Sequence, residues 1–579
     1  MSGTARSGLF LTARRGLLIS DGVIGRDKIG ANSICRSYVR FVVYFAIVRR
    51  TLLLFCLTVA ACSTMVPVHV FSWQSTAHAS QQIVPIETAL HLYRTGKFDA
   101  AVQAYSSLIA SESHISSAYA GLARTYLKLK KIDEAYAAAE KAVALSQDLA
   151  DAHIALGEVY FRQGKLVEAE NEFIAIAKTG SPNARAYLGV ARISEMASLH
   201  KQAKQMIARA YSLDPDDPDI QRERLTFLGL PERISALQQY LATETDDLPR
   251  ERAALEELLA VYKDEATTSE YQCRMIVKDN SMQVDLKPMT NSNMGIYGYG
   301  LTAKLNGTPS KLQLDTGANG IYLNRKIAEK ARVRRVVQTN IPGIGDQGAS
   351  TGYIAYADSV TIGGFEFVGC YVEVSESRPI EDADGIIGSN VFDRFLVDLD
   401  LPNAKLKLAD LPPHPDDPLS SSVAVSASPS APPVLDRYVA PEMKSFTPVY
   451  QIGQLLIVKT RVEDAAPALF VLDTGSGLNQ MSSGEAKAVT SVARSNVQLR
   501  GMDGNVNNVL QAQGAVTLTF GNMRQKNSGM TVFDMRSLSD SCGTEISGIL
   551  GVGALRHLEM KIDYRDGLVD FISVPDRKK

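Results

Sequence analysis

Asp315 and Asp473 each open the tripeptide Asp-Thr-Gly at the end of an apolar run, and two carboxyl groups suffice to hydrolyse an amide without a metal. One takes a proton from water while the other gives one to the carbonyl oxygen. At ~3 Å separation the two cannot both ionise, so they share one proton and titrate as a pair. The first copy reads Leu312-Gln313-Leu314-Asp315-Thr316-Gly317-Ala318 and the second Phe470-Val471-Leu472-Asp473-Thr474-Gly475-Ser476. A proline stands six residues before each aspartate (Pro309, Pro467), so the likeness extends beyond the tripeptide and implies an internal duplication.

Each copy is followed by a second glycine motif, Gly385-Ile386-Ile387-Gly388 and Gly548-Ile549-Leu550-Gly551, at intervals of 71 residues (Asp315 to Ile386) and 76 (Asp473 to Ile549). Leu399-Asp400 and Ile562-Asp563 end twelve residues after Gly388 and Gly551. With these residues in place the chain resembles the aspartic proteases, specifically a bacterial retropepsin-like type with both half-sites in one polypeptide, over residues 271–410 and 438–575. The resemblance implies that Asp315 and Asp473 form the catalytic dyad and that Thr316, Gly317, Thr474, Gly475 and Ser476 support it. The glycines would let two loops meet without Cβ collisions, and the threonine hydroxyls would bond across the lobe interface. It also implies that Ile386, Ile387, Gly388, Ile549, Leu550 and Gly551 pack the active loops from behind. Flaps over a bound peptide are expected at 341–346, around Gly343 and Gly345, and at 500–504, around Gly501 and Gly504, where backbone N–H groups can pair with an extended substrate.

The residue after each motif differs. The Ser476 hydroxyl is expected to donate to the Asp473 carboxylate, which Ala318 cannot do for Asp315, so Asp473 is expected as the base and Asp315 as the proton holder. Gly348-Ala349-Ser350-Thr351-Gly352 matches the Gly-x-Ser-x-Gly pattern of serine hydrolases. Its context, without a strand before and a helix after, reads as a solvated loop instead.

The elements that position this chemistry exceed one core: 579 residues predict about three to five domains of ~150 residues each. A net charge of −2 offers no electrostatic reason to expect nucleic acid. Ala101, Ala135, Ala169 and Ala203 recur every 34 residues, the tetratricopeptide period. Residues 84–265 thus resemble four tetratricopeptide repeats with a helical cap, a surface for a protein partner or a plain scaffold. Beyond them, alternating apolar runs with Gly and Asn punctuation predict β structure in two lobes, joined by a Pro/Ser/Ala-rich linker over 411–437. The fold class is therefore multidomain α + β: a helical solenoid followed by two all-β lobes.

Of six cysteines, Cys273, Cys370 and Cys542 are scattered through the folded part and read as buried small hydrophobes. No ligand cluster for a metal is legible, and no cofactor is called for. Residues 1–80 read as a basic extension with an export signal: Arg49-Arg50, an apolar run, then Val59-Ala60-Ala61-Cys62, which resembles a bacterial lipobox with Cys62 as the lipidated residue. Cleavage after Ala79 and an uncleaved anchor are the alternatives. The expectation is an exported, periplasmic or cell-surface, membrane-tethered aspartic endopeptidase acting on polypeptides, its repeats recruiting a protein. The rival is a non-catalytic peptide-binding or assembly protein. Each lobe could also pair with its twin in another chain rather than with its neighbour.

Overall fold

The computed structural model describes residues 85–574 apart from 113, 180–181, 243–248, 268–272, 278–282, 293–294, 342, 377–379, 381 and 415–436. The export signal, Cys62, the Ala79 cleavage point and most of the linker lie outside the described residues.

Four helical hairpins come first: α1 (Ile86–Arg94) with α2 (Phe98–Ala110), α3 (Ile115–Lys128) with α4 (Ile132–Leu145), α5 (Ala150–Arg162) with α6 (Leu166–Ala177), and α7 (Ala184–Met196) with α8 (His200–Leu213). The recurrent alanines occupy the fourth position of α2, α4, α6 and α8 and are fully buried, because only a methyl fits where the paired helices cross. Gly189 meets the same demand from the other side: a Cβ there would lie 2.4 Å from the Phe173 ring. A short α9 (Pro218–Arg224) follows, started by Pro218 and capped by Asp217, whose Oδ1 accepts from the N–H groups of Asp219 and Ile220. A last pair, α10 (Leu230–Ala242) and α11 (Pro249–Thr267), ends the helical part.

One polar knot crosses the array. Asp219, at the start of α9, accepts from Lys128 of α3 at 2.6 Å, Arg185 of α7 at 3.1 Å and Tyr93 of α1 at 3.3 Å. Arg185 also pairs with Asp217 at 2.9 Å and Glu158 at 2.8 Å.

The β region forms two lobes and a sheet they share. In the first lobe nine strands pair, with the Asp315 strand (Thr308–Asp315) between Gly295–Leu305 and Gly385–Gly388; in the second, ten strands repeat this arrangement around Ala468–Leu472. Asn306 (φ 45°) and Gly307 (φ 77°) make the tight turn before the Asp315 strand, both in the left-handed region a two-residue hairpin requires. A third sheet of six strands mixes the lobes. Phe395–Asp400 of the first pairs antiparallel with Leu558–Asp563 of the second, matching Val397 to Ile562 and Leu399 to Met560. Neighbouring lobes of one chain are thus hydrogen-bonded together.

Two expectations are corrected. Cys273 and Cys370 form a disulfide that closes a 97-residue separation, whereas Cys542 is a free buried thiol. The bond fastens strand Arg274–Val277, the first after α11, to Phe365–Ser375, a pairing made by register and invisible in cysteine spacing. Closing a loop of that size is worth about 4–5 kcal/mol in the chain-entropy account, so reduction is expected to lower the melting temperature of the first lobe. Peptide mapping should find residues 273 and 370 protected from alkylation until dithiothreitol is added. Ser350, for its part, is no solvated loop residue. It begins the buried strand Ser350–Ile362 and its Oγ meets that of Ser375 at 3.2 Å, still without the strand-turn-helix of a nucleophilic serine.

Candidate active site

The Asp315 and Asp473 loops face each other at the junction of the lobes. Each follows a central strand, and each strand is flanked by the second glycine motif in parallel: Gly388 beside Asp315, and Leu550 beside Leu472. The threonines interlock. Thr316 N–H donates to Thr474 Oγ1 and Thr474 N–H to Thr316 Oγ1, both at 3.0 Å, while the hydroxyls donate to the carbonyls of Leu472 and Leu314 at 2.8 and 3.1 Å. Both threonines are buried, so all four bonds operate away from water and fix the loops as a unit.

The motif glycines permit the approach. A Cβ on Gly475 would lie 2.2 Å from Asp315 Oδ2, and one on Gly317 would lie 2.7 Å from Asp473 Cγ. Each carboxylate therefore sits against the opposite loop's backbone. Asp315 Oδ1 accepts from Gly317 N–H at 2.7 Å; Asp473 Oδ1 accepts from Gly475 N–H at 2.7 Å and Ser476 N–H at 3.1 Å. Both carboxyls are recessed but keep some surface open to solvent.

Burial pushes Asp315 well above the usual carboxyl range, and the neighbouring Asp473 charge pushes it further. Burial raises Asp473 as well, but the hydrogen bond from Asp315 and the two backbone N–H groups hold it down. The Ser476 hydroxyl, expected to donate to Asp473, turns away to the Leu478 carbonyl at 3.0 Å and accepts from Gln480 at 2.9 Å; its backbone N–H is what reaches the carboxylate. An Ala318→Ser change would therefore add no equivalent bond.

The two expected flaps meet each other. The first-lobe turn at 343–347 and the hairpin Arg500–Gly501/Gly504–Asn505 exchange three backbone bonds: Asp503 N–H to Ile344 O (3.1 Å), Gln347 N–H to Asp503 O (2.9 Å) and Asp346 N–H to Asn505 O (3.0 Å). Gly343, Gly345, Gly501 and Gly504 lie at this junction, where a Cβ on Gly501 would come 2.2 Å from the Ile344 oxygen. Of the supporting motif, Ile387 and Leu550 pack into the main core, with Gly388 and Gly551 held against the carbonyls of Ala318 and Leu478. Ile549 does not pack from behind. Strand alternation turns it to the opposite face, into a separate apolar cluster, and Ile386, though buried, likewise lies outside the main cluster.

Two contacts had escaped the sequence. Gln313 Nε2 donates across the interface to the Gly475 carbonyl at 3.3 Å, from a position that holds Val471 in the second copy, and this polar residue in an apolar run was the available signal. Ser389 and Tyr564 join their hydroxyls across the lobes. Among the described residues no group of three or more His, Cys, Asp or Glu side chains is placed to hold a metal.

Residues 301–391 match the aspartyl protease family model, and residues 86–150, 122–184 and 154–218 match that of the tetratricopeptide repeat. Among solved structures, the aspartic proteinase from Irpex lacteus is similar, with 13% identity, 51% of this chain and 97% of its own covered, and a TM-score of 0.31. No curated protein matches the chain. The chain thus carries a stretch similar to tetratricopeptide repeats, followed within the first lobe by one similar to the aspartyl protease family.

Proposed function

We propose that the chain is an aspartic endopeptidase in which Asp473 is the base and Asp315 the acid. The observation that carries this reading is the pair of recessed carboxyls on reciprocally bonded Asp-Thr-Gly loops, both raised by burial. Asp473 takes a proton from water, the hydroxyl oxygen bonds to the scissile carbonyl carbon, and Asp315 gives its proton to the carbonyl oxygen. Collapse of the resulting diol returns a proton to the leaving nitrogen, breaks the C–N bond and restores the shared-proton state. The flap N–H groups offer strand-like pairing to an extended polypeptide.

The active form carries one proton on the pair. Turnover should rise with pH as Asp473 ionises and fall as Asp315 loses its proton, and because burial raises both, the window should lie above that of ordinary carboxyls. Initial rates on a mixed peptide library across pH test this. A wild type that cleaves nothing at acid or neutral pH would sink the catalytic reading and favour a peptide-binding role.

Export, with lipidation of Cys62, remains part of the proposal. The Cys273–Cys370 bond supports it, since such bonds persist in oxidising compartments. Among the described residues no helix is long and apolar enough to cross a membrane, so tethering would rest on the N-terminal segment. Metabolic labelling with a fatty acid, compared between wild type and Cys62→Ala, tests it.

A further inference from the structure

The face to which Ile549 turns is not closed by the second lobe alone. Leu469 and Val471 of the Asp473 strand, with Ile457 and Ile549 from its neighbours, form an apolar floor whose nearest residue is two positions from the dyad. Ile344 from the first-lobe flap, and Leu499 and Val506 from the segments flanking the second flap, pack over it. The remaining side belongs to the repeats: Phe161 at the end of α5, Leu166 at the start of α6 and Met196 at the end of α7 join the same cluster.

Specific contacts hold this helical edge in place. Thr544 Oγ1 donates to the Phe161 carbonyl at 2.6 Å, and Glu545 N–H to the Arg162 carbonyl at 2.9 Å, just before the Gly548–Leu550 strand. Asp540 pairs with Lys130 at 3.0 Å and with Arg162. Gly164, at φ 74°, lets the turn approach so closely that a Cβ would stand 3.1 Å from the Glu545 oxygen. The corresponding first-lobe positions, Gln313 and Ile386, belong to no such cluster, so the two sides of the dyad differ.

We infer that the repeats build one wall of the peptide cleft, and that Leu166 and Met196, with Phe161, decide which substrate side chain fits on the Asp473 side of the scissile bond. Floor, flap and helical edge pack as one apolar cluster next to the dyad, and a substrate that parts the flap contact meets the repeat residues there. The preferred side chain is apolar, since every residue of that cluster is. The inference rests on the endopeptidase reading.

The test uses the full chain and a peptide library varied on either side of the cleaved bond. L166A and M196A should shift the ranking of kcat/KM toward bulkier apolar side chains on one side of the bond by about tenfold, the scale on which apolar pockets discriminate. L166F should shift it the other way. L166M and M196L, which keep the volume and hence the fold, should move it by a smaller factor. V167A, on the exposed side of the same helix, should leave it unchanged. Equal losses for every peptide, or an unaltered ranking, would overturn the inference while wild-type cleavage kept the catalytic reading intact. Should wild type cleave nothing, that reading fails separately, and the ranking of fluorescent peptide affinities for the same variants decides the inference by the same criterion.

Discussion

Replacing either aspartate alone, as Asp315→Asn or Asp473→Asn, is expected to reduce peptide turnover by about a thousandfold or more, the scale of a lost acid–base step. The size follows from the pairing of the lobes. One chain supplies both carboxyls, its lobes are hydrogen-bonded through the shared six-stranded sheet, and the threonine bonds run from each loop to the other, so each molecule has one dyad. Were each lobe paired with its twin in another chain, either substitution would leave about half the activity, because the other lobe's sites would remain intact. Initial rates of purified single variants, with light scattering to count chains, separate the two arrangements. Stability provides the control for folding. Asp315 titrates above its unfolded value, so the folded state binds the extra proton, and stability declines as pH rises through that range. An amide cannot ionise, so Asp315→Asn should melt at or above the wild-type temperature at neutral pH. An inactive variant that also melted lower would point to damage rather than lost chemistry.

The sequence disclosed those parts of the site that are local or repeated. Asp315, Asp473 and their threonines and glycines are legible because short motifs specify their own loop geometry, and the doubled pattern says there are two loops to bring together. The repeats are legible because small residues must recur wherever helices cross. Contacts between distant elements left no such trace. Cys273 and Cys370 are far apart in sequence and meet only through strand register. Leu166 reads as an ordinary core residue of a repeat, and nothing nearby says that its neighbour is the Asp473 strand. Ser476 carried the right residue type and a misleading side-chain inference: the Leu478 carbonyl, two residues on, captures the hydroxyl, and the backbone amide is what reaches the carboxylate. Ile549 was misread for a related reason, since adjacent residues of a strand point to opposite faces and only one can support the loop from behind.

Asp219→Ala is expected to be the most damaging substitution outside the dyad, costing about 3–5 kcal/mol, the usual penalty for removing one partner of a buried ion pair. In Asp214-Pro215-Asp216-Asp217-Pro218-Asp219 the residue reads as one more turn carboxylate. In the fold it is 5% exposed and takes charge from Lys128, Arg185 and Arg222 at 2.6, 3.1 and 3.0 Å. Alanine would leave Lys128 without its Asp219 partner and Arg185 with two carboxylates instead of three. Burial alone would raise the Asp219 carboxyl, but the three cations and Arg192 hold it well below the usual range. Its stabilisation is therefore present above the ordinary carboxylate value of about 4 and fades only as pH falls through the depressed folded value, so wild-type helices should persist at acid pH where the variant's have melted. Urea unfolding followed by far-ultraviolet circular dichroism measures the difference, and Asp219→Asn, which keeps the shape, should lose less. Arg325→Ala, which breaks an exposed pair with Glu329, should leave the midpoint where it was. The effect should also reach the active site. Because α5, α6 and α7 cover the Val471 and Ile549 face, melting them bares apolar surface beside Asp473, and turnover of the Asp219→Ala chain should disappear along the same urea curve as its helical signal. If activity outlasts the helices, the repeats are dispensable to the cleft.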